Sequence, residues 1–183
     1  MRVIAGKCRR LNLDTIKGDN TRPTTDRIKE TLFNIISDEV VDSDFLDLFS
    51  GSGQIGIEAL SRYASSATFV DNYRLAIDCI NSNIKRCRLE DNSNVICDNV
   101  FSAIKRFKDN SFDIVFLDPP YNKGFERDIL KYLDESSIIR NDGLIIVEAD
   151  LNTDFTYLNK YSLELERIKE YKTNKHLFLR KRY

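Results

Sequence analysis

Asp47-Leu48-Phe49-Ser50-Gly51-Ser52-Gly53-Gln54-Ile55-Gly56 is the stretch that decides the fold class. The apolar run Phe45-Leu46-Asp47-Leu48 enters a Gly-x-Gly-x-x-Gly turn, and a helical period follows from Gln54 to Arg62. Glycines let the backbone turn tightly and approach a ligand, while the new helix offers unpaired N–H groups. A strand, this turn and a helix in that order predict a nucleotide-like ligand above the strand end.

Four more short apolar runs continue the alternation: 67–70, 94–97, 112–117 and 144–147. Helical stretches at 73–89, 100–107 and 125–135 separate them, so the chain reads as β-α units in a parallel sheet with helices on both faces. After Val147 the helical pattern stops, and residues 161–168 and 176–181 read as an antiparallel edge hairpin. Upstream, Thr24 or Thr25 can cap a helix that carries Ile28, Leu32, Ile35 and Ile36 on one face. Residues 2–16 suggest a small two-stranded hairpin, giving an extension over 1–20 and a catalytic domain over 21–183.

Composition bounds the function. The chain of 183 residues is 42% hydrophobic and 31% charged, which suits one globular domain and excludes a disordered chain. Twenty-eight Lys and Arg against 29 Asp and Glu give a net charge of −1, so any nucleic-acid contact must rest on local basic patches. Such patches stand at Lys7-Cys8-Arg9-Arg10, Arg22 to Lys29, Lys85 to Arg88 and Arg180 to Arg182. The amino-terminal ones, with Arg9, Arg10, Arg22 and Arg27, are the candidate RNA contacts. No apolar run is long enough to cross a bilayer, and the start of the chain lacks the apolar core of a signal peptide. With no C-x-x-C pair among Cys8, Cys79, Cys87 and Cys97, these features predict a reduced, cytoplasmic protein without a metal site. The cysteines read as small buried or partly buried apolar residues, and His176 as a surface residue of an edge strand.

Which ligand the loop takes depends on its acids. Ile57-Glu58 stands where a P-loop needs Lys and Ser or Thr, which argues against an NTPase. A dinucleotide enzyme is served by Asp71 at the second strand end, but Asp47 would oppose a pyrophosphate. S-adenosylmethionine has no phosphate and carries an ammonium group, which Asp47 suits. Asp71 can then accept from the ribose hydroxyls and Asp98, after the third strand, from the adenine amine. Phe49, Gly51, Ser52, Gly53 and Asn99 complete the candidate cofactor site. An oxidoreductase using NAD(P) and a noncatalytic RNA-binding protein are the competing classes.

Asp118-Pro119-Pro120-Tyr121 follows the fourth strand. The prolines stiffen the loop and free its carbonyls, so Asp118 and the Pro119 carbonyl can accept from an exocyclic amine while Tyr121 offers a face for its base. No cysteine lies beyond Asp98, which excludes a covalent thiolate attack from this loop.

Asp47 to Gly56 together with Asp118-Pro119-Pro120-Tyr121 resembles the class I methyltransferases that modify exocyclic amines of nucleic-acid bases. The opening Met1-Arg2-Val3-Ile4-Ala5-Gly6-Lys7 and the segment Thr21-Arg22-Pro23-Thr24-Thr25-Asp26-Arg27 are similar to those of the bacterial 16S ribosomal RNA guanine-N2 methyltransferases. The resemblance covers nearly the whole chain. It implies a Rossmann-like α/β fold with a mostly parallel seven-stranded sheet, an antiparallel carboxyl-terminal edge and an amino-terminal extension. It also implies S-adenosyl-L-methionine as cofactor and 16S ribosomal RNA or the small-subunit particle as partner; the protein is expected to be a monomer. DNA or transfer RNA amines remain alternative acceptors. Asp71 stands where the family commonly has Glu, and Tyr171-Lys172-Thr173-Asn174 departs from its pattern.

Overall fold

The computed structural model describes residues 1–16, 25–120 and 123–182. The candidate residues Arg22 and Tyr121, and the domain boundary expected at 20/21, lie outside the described residues.

Seven strands form one sheet: β1 (Asp44–Leu48), β2 (Ser66–Asp71), β3 (Ser93–Cys97), β4 (Phe112–Leu117), β5 (Ile139–Asp150), β6 (Glu164–Glu170) and β7 (Asn174–Arg180), in the order β3-β2-β1-β4-β5-β7-β6. The pairs among β1 to β5 are parallel, and β7 runs antiparallel to both β5 and β6. Strand order reverses between β1 and β4, which opens a crevice at their carboxyl ends.

Because successive side chains of a strand face opposite ways, the sheet buries two cores. On one face Phe45, Phe69, Phe116, Ile146 and Phe178 pack under α1 (Asp26–Ile35), α3 (Gln54–Ser61) and α4 (Arg74–Cys87). On the other, Leu46, Val70, Val115, Leu117, Ile145 and Val147 pack under α5 (Val100–Ile104) and α6 (Phe125–Glu135). A short α2 (Ser37–Val40) follows α1. Among the described residues, no helix is long and apolar enough to cross a membrane.

Four local expectations changed. Thr25 caps α1 by accepting from the Ile28 N–H, but the inward face of that helix carries Lys29 and Phe33 with Leu32 and Ile36, while Ile28 and Ile35 are only partly buried. At the amino end the two strands are reduced to a single antiparallel bridge, Arg2 with Asn12, and Val3, Cys8 and Leu13 belong to the core shared with α3 and α4. Gly6 fits there because a Cβ would stand 1.7 Å from the Ser61 carbonyl oxygen. His176 is fully buried rather than exposed: β7 inserts between β5 and β6, so β6 is the edge and β7 an interior strand. Of the cysteines, Cys8, Cys79 and Cys87 are buried as expected, and Cys97 is exposed.

Candidate active site

Asp47 lies on the β1 side of the crevice and Asp118 on the β4 side. Asp47 is 2% exposed and accepts the Gly56 N–H at 3.0 Å, so its carboxylate bridges the glycine turn from below. Gly56 is required where the helix crosses the sheet, since a Cβ would meet the Phe69 ring at 2.4 Å. Burial, opposed by the Gly56 bond and reinforced by nearby Asp71, pushes the Asp47 carboxyl up to about 7. Among the described residues no cationic side chain pairs with Asp47. A buried acid in that condition favours a ligand that brings positive charge.

The turn itself is tied to β2. Gly51 donates its N–H to Asp71 Oδ2 at 2.9 Å, Tyr73 donates to Asp71 Oδ1 at 2.9 Å, and the Ser50 hydroxyl donates to the Asp47 carbonyl at 2.6 Å. A carboxylate has about four lone-pair sites, so Asp71 keeps capacity for further donors. Buried Asn83, on α4, donates to the Ser52 carbonyl at 3.0 Å and exchanges bonds with the Asp14 backbone, accepting from its N–H at 2.7 Å and donating to its carbonyl at 3.1 Å. Phe49 adopts a left-handed backbone, φ 61°, and its ring stacks on Phe125 at 6.1 Å, with Phe101 edge-on to Phe125 at 5.8 Å. These rings connect the cofactor turn to the start of α6, just after the Asp118 loop.

Asp98 and Asn99 stand at the β3 end, near Asp71. Asp98 pairs with Arg106 at 2.5 Å and accepts the Asn99 N–H at 2.7 Å, while Asn99 caps α5 by accepting from Phe101 at 2.9 Å. Asp118 is partly buried, Pro119 buried and Pro120 exposed. Burial, then Glu148 and then Asp47, hold the Asp118 carboxyl well above the usual carboxylate range. Glu148, on β5, is a site acid that the sequence reading missed. It directly follows the apolar run 144–147, the same signal that marks Asp118 after β4.

The basic residues are not brought together. Arg9 and Arg10 are exposed, without an ion pair among the described residues, but their loop is pinned to the far ends of α3 and α4. Lys7 N–H donates to the Ser61 carbonyl at 2.8 Å and Cys8 N–H to Ser61 Oγ at 2.9 Å. Ser61 ends α3, so the eight residues of that helix put the loop about 12 Å below the crevice. Arg27 is exposed on α1, Arg86 pairs with Asp14 at 2.7 Å, and Arg180 and Arg182 are committed to Glu39, Glu166, Asp142 and Glu164.

A parallel sheet with an antiparallel β7 insertion, acids at its strand ends and a glycine turn above β1 define a Rossmann-like methyltransferase. The chain belongs to the family described as Conserved hypothetical protein 95, which matches residues 1–180. It is 34% identical over 169 residues to Ribosomal RNA small subunit methyltransferase D of Escherichia coli strain K12, covering 92% of this chain and 84% of that one. The same-named protein of Haemophilus influenzae is 35% identical over 153 residues, covering 82% and 79%. The solved structure of yhhF from Escherichia coli superposes with a TM-score of 0.88 at 31% identity, covering 100% of this chain and 98% of that one.

Proposed function

We propose that this protein transfers a methyl group from S-adenosyl-L-methionine to the exocyclic N2 amine of a guanine in 16S ribosomal RNA. The observation that carries the reading is a pair of acids, buried Asp47 on β1 and partly buried Asp118 just after β4, at the neighbouring strand ends where the strand order reverses. A dinucleotide would bring a pyrophosphate to this acidic crevice, against Coulomb's law, whereas a ligand with an ammonium and a sulfonium relieves the repulsion between the acids. Membership in a family with ribosomal RNA methyltransferases supports RNA as the acceptor.

Asp47 would hold the ammonium, Asp71 the ribose hydroxyls, and Asp98 with Asn99 the adenine edge, over the backbone of Phe49, Gly51, Ser52 and Gly53. When bound, the cofactor supplies an electrophilic methyl group. Asp118 and the Pro119 carbonyl accept the two hydrogens of the amine, which turns the nitrogen lone pair out of the base plane and toward that methyl. Tyr121 would offer its ring as the stacking face for the base. The methyl group would take the place of one amine hydrogen, and Asp118 would receive the proton that the nitrogen gives up. Positioning and fixed charge carry the rate, since a guanine amine needs no strong base once methylated.

Labelled methyl transfer tests this, with free 16S RNA, small-subunit particles and duplex DNA as acceptors. Label in the RNA or the particle is expected. Label in DNA alone, or hydride transfer with NAD(P) and no methylation, would overturn it.

A further inference from the structure

Beyond the cofactor turn and the Asp118 loop, the sheet holds a row of polar side chains where core is expected. Leu117 pairs with Val147, so Asp118 and Glu148 are the next positions along β4 and β5, and Glu148 pairs with His176 across β5 and β7. Asp118 follows Phe116 by two residues and shares its face, and the Phe116 ring meets the His176 ring edge-on at 6.1 Å. His176 is fully buried and Glu148 is 4% exposed.

The row is hydrogen-bonded from end to end beyond Glu148. His176 Nε2 lies 3.0 Å from Glu148 Oε2, Asn174 Nδ2 donates to Glu148 Oε1 at 2.6 Å, and the Tyr171 hydroxyl lies 3.3 Å from His176 Nδ1. Burying a carboxylate and an imidazole in a hydrophobic sheet is costly, and an apolar pair would pack there more simply. Their place beside Asp118 supplies a reason for them.

We propose that Glu148 and His176 are positioning residues for Asp118: the imidazole balances the charge of Glu148, so that Asp118 can be an anion when the acceptor amine arrives. This rests on the methyl-transfer reading. With two protons His176 donates to Glu148 and to the Tyr171 oxygen, and the Glu148–His176 pair is neutral. With one proton the Tyr171 hydroxyl donates to Nδ1, Nε2–H donates to Glu148, and the pair is an anion beside Asp118. Asp47 on β1 and Lys169, exposed on β6 opposite His176, also face the row.

The pair makes a prediction of opposite signs. Glu148→Gln keeps the shape and an acceptor for Asn174 but removes the negative charge, so Asp118 ionises more readily. His176→Gln removes the balancing cation, so Asp118 ionises less readily. The measurement is the pH profile of kcat/KM for RNA methylation. Its acidic limb should move down by about one pH unit in Glu148→Gln and up by a similar amount in His176→Gln. A purely structural role would lower the rate or the stability and leave both limbs in place. Limbs that stay at the wild-type position, or move in the same direction, overturn the proposal.

Carbon-13 NMR of the Asp118 carboxyl provides a readout that needs no turnover. It should titrate lower in Glu148→Gln than in wild type, and it decides the matter if His176→Gln does not fold; an unmoved titration overturns the proposal. A wild-type protein that methylates no RNA at any pH would sink the functional reading instead, and the NMR titration would still test the charge coupling.

Discussion

The Asp47 carboxylate accepts the Gly56 N–H at 3.0 Å, a bond that spans the turn from β1 to α3 and leaves a buried acid with no cationic partner among the described residues. Its carboxyl stands at about 7 in the folded chain against 3.8 for the free group. The folded state therefore binds this proton more tightly than the unfolded one. Stability contributed by the proton is present at acid pH and lost as pH rises from about 4 to about 7.

Asp47→Asn keeps an acceptor for Gly56 and carries no charge. Urea denaturation should find it more stable than wild type by about 4 kcal/mol at pH 8 and about equal at pH 4. An equal effect at both pH values would show that Asp47 is not held protonated by burial.

The same acid links cofactor affinity to pH. An ammonium beside Asp47 draws its proton off, so S-adenosylmethionine should bind more tightly as pH rises through about 7, with proton release in calorimetry below that pH. Asp47→Asn should lose both the affinity and the proton release.

Asp71 organises the turn through Gly51 and Tyr73 and faces the expected ribose position. Asp71→Ala should lose roughly 1.5 to 3 kcal/mol of cofactor binding, about 10- to 150-fold. Calorimetry with unchanged affinity would remove the ribose assignment.

Glu58 joins the amino-terminal segment to the sheet. Its carboxylate accepts from Ile4 N–H at 2.8 Å, Ala5 N–H at 3.0 Å and Arg62 Nε at 2.9 Å, with Lys29 Nζ at 3.5 Å, while Lys29 donates to the Arg2 carbonyl at 2.6 Å. Burial lowers the Lys29 ammonium below its usual value despite the pair with Glu58. Glu58→Ala should cost about 3 to 5 kcal/mol, because it strands buried Lys29 and two amides. Lys29→Met should cost less, since Glu58 keeps Arg62 and both N–H donors. The reverse order in denaturant melts would contradict this account of the segment.

Much of this was readable in advance where the signal is local. Asp71, Asp98 and Asp118 each follow an apolar run and Asp47 lies one residue from the end of another, so strand ends and acids came out together. What the sequence hides depends on partners distant along the chain. Lys29 and Glu58 look like surface charges until α1 packs on α3, and the alternation around His176 fits an edge strand until β7 inserts beside β5. Arg9 and Arg10 form a basic cluster in sequence, yet the Ser61 contacts carry them to the far end of the helices.

That placement sharpens the RNA prediction. If RNA runs from the crevice down the side of α3, the Arg9→Ala/Arg10→Ala double variant should bind it more weakly, with a salt slope flatter by about 0.7 to 0.9 per lost contact and cofactor affinity unchanged. Wild-type affinity and slope would exclude this loop from the docking surface.

The central claim is that Asp118 receives a guanine amine. The direct measurement is nucleoside mass spectrometry of 16S RNA after incubation with labelled S-adenosylmethionine and either wild-type protein or Asp118→Ala. The wild type should yield N2-methylguanosine, and Asp118→Ala none, with cofactor affinity near that of wild type. A methyl group on a ring carbon or ring nitrogen, or full product from Asp118→Ala, would contradict it.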